Sequence, residues 1–165
     1  MNNIKNKSVN GSIAVMMIIS MPVIITILGL VLDIGLMINT KGVVQAAADF
    51  GSLAGAQCLN LDLLAEGVLY IDPLRAQAEA KYWTELNIKK NIKHLRDESS
   101  LKVIVNVHNI NDGVPSIDAH TMRILLEPTV CVRVDYPIKT SFIPFRKDIF
   151  LTVHSDSSVV DREER

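Results

Sequence analysis

From Ser8 to Leu32 the chain carries no charged side chain, and the run from Ile13 to Leu32 is interrupted only by Ser20, Pro22, Thr26 and Gly29. Helices rise about 1.5 Å per residue, so roughly 20 apolar residues cross the hydrocarbon layer of a bilayer. The pattern predicts a transmembrane helix over 13–38. In a chain of 165 residues this leaves room for one further modest core rather than two soluble domains.

The flanks set an orientation. Lys5, Lys7 and the amino terminus precede the span, whereas Asp33 follows it and Lys41 is the next basic residue. By the positive-inside tendency, residues 1–12 stay cytoplasmic and the rest of the chain is exported. A cleaved secretory signal competes with this reading, because Ala46-Ala47-Ala48 has the small residues of a cleavage site. The apolar run is longer than a signal's core, however, and Asp33 and Lys41 separate it from those alanines. Pro22 removes a backbone donor within the span, a kink that neighbouring helices can accommodate.

Residues 39–60 read as an Ala-rich helical extension. Ala47, Gly51 and Gly55 recur every fourth residue and leave one face nearly flat, suited to close helix packing. That face fits either a partner chain, hence self-association, or the chain's own exported domain. Gln45 and Asp49 share a helix face by the same spacing.

Residues 61–157 predict a small α+β domain. A second helix is expected over 74–95, ending in the basic stretch Lys89 to Lys93. Strands are expected at Leu101–His108, Thr129–Tyr136 and Ile149–Ser155, where β-branched and apolar residues alternate, with a hairpin-like turn at Asn111-Asp112-Gly113. The fold class is thus a long N-terminal helix continuing into a second helix and a three- to four-stranded antiparallel sheet, pilin-like in outline. Phe142 and Phe145, around Pro144, are read as core cover in preference to an exposed binding loop. A charged tail occupies 158–165.

Little in the chain points to catalysis. Net charge is −1, which gives no basic face for nucleic acid. The four histidines show no metal-ligand spacing, and Cys58 and Cys131 form no CxxC, so neither a metal site nor a cofactor is expected. The two cysteines either pair in an oxidising compartment or stay buried as free thiols. Ser116, Asp118 and His120 lie close in sequence, but a triad is defined by spatial geometry, and they are read as a polar loop.

Several of these features occur together in one order: Gly11-Ser12-Ile-Ala-Val, an apolar span containing Pro22, Asp33-Ile-Gly35, Gln45-Ala-Ala-Ala-Asp49 and Leu53-Ala-Gly-Ala56. This order resembles the N-terminal module of the TadE/TadG-like proteins of tight adherence (Tad, or Flp) pilus assembly. The resemblance implies a non-enzymatic, single-pass protein of the bacterial inner membrane. Its partners would be membrane lipid and other pilus-assembly or envelope proteins. Some members are pseudopilins processed by a prepilin peptidase; here processing would fall between Gly11 and Ser12. The glutamate usual five residues later falls at Met16, which cannot meet a neighbouring subunit's amino terminus. An unprocessed anchor is therefore preferred over a minor pseudopilin. A membrane-tethered ligand-binding domain is the alternative from another class. Longer TadG proteins carry a metal-binding DxSxS motif, which Asp156-Ser-Ser-Val-Val160 does not reproduce.

Overall fold

One helix, α1 (Ile4–Ala56), runs unbroken for 53 residues, about 80 Å at the usual rise. The computed structural model describes residues 4–92, 100–110, 114–138 and 149–160, with side chains from Ser12 onward. The expected turn at Asn111–Gly113, the Phe142–Phe145 segment, Lys93, the side chains of Lys5 and Lys7 and the last five residues of the charged tail lie outside that description.

The chain divides into two units, the first containing the helix up to Ile38. Among the described residues α1 is the one helix long and apolar enough to cross a membrane, with a mean hydropathy of 2.7 over its most apolar window. Met16, Ile18, Ile19 and their neighbours project outward. Such all-round apolarity suits lipid, not water. The polar side chains in this stretch bond back onto the helix: Ser20 Oγ donates to the Met17 carbonyl at 3.1 Å and Thr26 Oγ1 to that of Pro22 at 2.7 Å. No hydroxyl is thereby left for the hydrocarbon to solvate. Asp33 is buried.

The second unit begins at Asn39 and contains, among the described residues, the end of α1, a short helix α2 (Leu61–Ala65), α3 (Pro73–Asn91) and five strands. α1 stops at Ala56, short of residue 60, and Leu59 instead bridges Ile71. Asn109 clamps that bridge, accepting from Ile71 N at 2.9 Å and donating to its carbonyl at 2.8 Å. α3 starts where its residues dictate. The Asp72 carboxylate accepts from the Leu74 and Arg75 amides, and Pro73 occupies the first turn, where no N–H is needed. Lys89 and Lys90 favour its C-terminal end. The helix closes at Asn91, before the expected residue 95, because Ile92 turns extended.

Strands β1 (Lys102–His108), β4 (Thr129–Ile138) and β5 (Ile149–Ser158) form an antiparallel sheet in the order β1-β4-β5. The first strand therefore does not hairpin with its successor. Residues between them build a separate two-stranded hairpin, β2 (Ser116–Ile117) and β3 (Ile124–Leu125). β4 is central, and its alternation gives the sheet two unlike faces.

On one face Val130, Val132, Val134 and Tyr136 are buried with Val153 of β5. The end of α1 and α3 supply the matching side chains, Val44, Ala47, Ala48, Ala56, Ala76, Ala80 and Ile88. Fully burying each valine contributes about 1.5–3 kcal/mol.

Candidate functional site

The small residues of α1 lie where that helix meets the rest of its own unit. A Cβ on Gly51 would collide with Thr84 Oγ1 and approach the Ala80 carbonyl at 2.7 Å. One on Gly55 would come within 3.1 Å of both the Ala76 carbonyl and the Ala80 Cβ, and 3.0 Å of Val130. α1 and α3 thus approach so closely that no Cβ fits at Gly51, and one at Gly55 fits only if its neighbours give by a few tenths of an ångström. With Ala47 also buried, this stripe is occupied within the chain and is not presented to a second copy.

Gln45 and Asp49 flank the stripe. The Gln45 amide donates to Asp49 Oδ1 and to the main-chain carbonyl of His154, both at 2.9 Å. One turn on, buried Ser52 donates to the Asp49 carbonyl at 3.0 Å and stands 3.0 Å from Ser155 Oγ and 2.8 Å from Ser157 Oγ. With its single proton committed, its two lone pairs can accept from both serines. These polar groups fix the register of α1 along β5. Of the other residues singled out in the sequence, Asp33 is buried in the first unit, Gly35 has open space around it, and Gly11 and Ser12 both lie within α1.

The opposite face of the sheet is polar. The register sets Cys131 opposite Asn106 and Asp156, and Arg133 opposite Ile104 and His154. His108 stands at the end of β1, opposite Thr129. The β2–β3 hairpin reaches this face: Arg123 Nη1 pairs with Asp156 Oδ2 at 2.6 Å, and Asp118 Oδ2 lies 3.3 Å from His154 Nε2. Asp118 is 1% exposed. Burial pushes its carboxyl up, but the Thr121 hydroxyl, the His120 and Thr121 amides and nearby His154 together outweigh that and hold it below the ordinary range.

The three residues close in sequence separate in function. Ser116 Oγ hydrogen-bonds His108 Nδ1 at 2.8 Å, while Asp118 faces His154. His120 Nδ1 accepts from Arg133 Nη1 at 3.2 Å. A serine relay needs one imidazole touching both the hydroxyl and the carboxylate. Here two different rings divide those contacts.

Arg133 Nε also pairs with Asp135 Oδ1 at 3.2 Å, which accepts from Thr152 Oγ1 at 2.7 Å. Beside this pair is a shallow open cleft lined by Lys102, Arg133, Asp135, Phe150 and Thr152. Both cysteines are buried and free. The Cys131 thiol is pushed up to about 12, first by burial and then by Asp118 and Asp156, and burial also raises Cys58. The pairing left open by the sequence is not formed. Sequence reasoning missed this face because His108, Asp118, Cys131 and His154 come from four separated segments. The polar alternation of residues 129, 131, 133 and 135 was its one local signal.

Residues 11–57 match a family model described as putative Flp pilus-assembly TadE/G-like. The N-terminal part of the chain therefore carries a TadE/TadG-like module, which ends where α1 ends. No curated protein and no solved structure matches the chain.

Proposed function

We propose that the chain is a non-enzymatic, single-pass component of a Tad/Flp-type pilus or a related envelope assembly. The carrying observation is that the matched module, residues 11–57, coincides with a helix whose first part is apolar on all sides and whose last part is locked into a folded domain. A helix so divided can hold an α+β domain at a membrane surface. With the orientation inferred from Lys5 and Lys7, that domain lies outside the cytoplasm and the membrane is the bacterial inner membrane. Binding to other envelope proteins is supported by exposed apolar residues, among them Ile117, Met122, Ile124 and Leu126 around the hairpin, since large exposed apolar patches mark interaction surfaces.

Unprocessed anchoring is preferred over pseudopilin incorporation because Met16 replaces a carboxylate. Intact mass and N-terminal sequencing of the native, membrane-extracted protein test this directly. A start at Met1 supports the anchor; a start at Ser12 makes the chain a prepilin-peptidase substrate. The broader reading is tested by electron microscopy of cells lacking the protein. Loss of thin surface filaments, restored on complementation, is expected, and wild-type filament numbers would overturn it.

A further inference from the structure

The polar sheet face gathers three different donor types in one place. A ring nitrogen of His108, a carboxylate oxygen of Asp118 and Cys131 Sγ lie within 4.8 Å of one another. They come from β1, the hairpin and β4, so no local spacing in the sequence announces them, and the absence of a CxxC or paired-histidine motif does not bear on them. Asp118 and Cys131 are buried. His108 Nδ1 is held by Ser116, and its Nε2 is buried without a hydrogen-bond partner.

We propose that His108, Asp118 and Cys131 bind one divalent transition-metal ion of the zinc class, tying the β2–β3 hairpin to the sheet. Imidazole, thiolate and carboxylate are all zinc ligands, with bonds of about 2.0–2.3 Å. Tetrahedral geometry with those bonds sets donors roughly 3.3–3.6 Å apart. Binding draws the three donors, now within 4.8 Å of one another, into that range. A softer ion such as copper(I) would call for more sulfur, and magnesium or calcium for oxygen alone.

The surroundings match what supports metal ligands elsewhere. Ser116 fixes the His108 ring, and the Thr121 hydroxyl and two main-chain amides orient the Asp118 carboxylate. His154 Nε2 lies beside the same carboxylate. Three protein ligands leave a fourth position for water or for a group from a partner protein. On binding, Cys131 gives up its thiol proton to solvent and the sulfur lone pair goes to the metal, so one proton leaves per ion bound.

The test uses the full chain in detergent, stripped with a chelator and titrated with zinc against a chromogenic competitor, and separately with cobalt(II). One ion per chain is expected, with a thiolate-to-cobalt charge-transfer band in the wild type. His108→Gln and Cys131→Ser should each weaken zinc binding at least as much as the roughly 10–100-fold lost with an outer-shell partner, and Cys131→Ser should abolish the band. Cys58→Ser should change neither. Zinc should also raise the thermal midpoint of the wild type. Absence of the charge-transfer band in the wild type, or unchanged zinc affinity in His108→Gln, overturns the proposal and assigns any bound metal to surface histidines. Should Cys131→Ser fail to fold, those two measurements decide the matter.

Discussion

The two faces of the β1-β4-β5 sheet are built from alternate residues of the same strands, yet they do opposite things. Val130, Val132 and Val134 point to the helices and are completely buried. Thr129, Cys131, Arg133 and Asp135 point the other way and meet histidines, carboxylates and hydroxyls. A strand's period of two puts adhesion and chemistry one residue apart. The first face, its valines joined by the Ser155 and Ser157 hydroxyls that meet Ser52, loses its cover once α1 and α3 are removed, so it sets whether the domain folds. The second is made of hydrogen bonds and ion pairs, whose net contributions are small because water competes for them.

The sharpest way to break this comparison is to place a charge on the apolar face. Val132→Asp puts a carboxylate at a fully buried position, opposite Val105 and Ser155 and with no cation in the register beside it, and we expect a loss above about 4 kcal/mol, enough to prevent folding. Protease resistance of residues 39–160 in the detergent-solubilised chain reads this out. A variant as resistant as wild type would mean the helices do not rest on that face. Gly51→Val comes next. Its new side chain meets Thr84 and the Ala80 carbonyl, and neither can yield without moving α3, so a loss of about 3 kcal/mol is expected. Trp83, the only tryptophan, reports urea unfolding from α3 itself. A neutral result would show that α1 and α3 can separate at little cost.

The sequence disclosed the apolar face more completely than the polar one, for a physical reason. Strand alternation at Thr129–Tyr136 and Ile149–Ser155, the helix expected from residue 74 and the small-residue stripe are local patterns, readable within a few residues. The order β1-β4-β5 is not local. It depends on pairings between strands far apart in sequence: β4 takes the place between β1 and β5, and α3 lies against β1. The hairpin of β2 and β3 was missed because two-residue strands carry no periodicity. Only that topology brings His108, Asp118 and Cys131 together, so the candidate metal site was invisible until the register was known. The membrane segment lies at the other extreme, since composition alone defines it.

The smallest expected effect lies on the polar face and separates electrostatics from packing. Burial pushes the Asp135 carboxyl up, but the Thr152 hydroxyl, Arg133 and Lys102 more than compensate and hold it below its ordinary value. A group whose folded pKa is depressed stabilises the fold above its unfolded pKa, about 3.9 for aspartate. That stabilisation is lost as pH falls through the lower folded value. Asp135→Asn should therefore cost about 1 kcal/mol or less near neutrality, and the gap between variant and wild type should shrink as the solution is acidified below pH ~4. Urea midpoints measured across that range in the detergent-solubilised chain test it. A gap that stays constant with pH would show that Asp135 acts through shape and hydrogen bonding alone, and a loss as large as that of Gly51→Val would erase the distinction between the two faces.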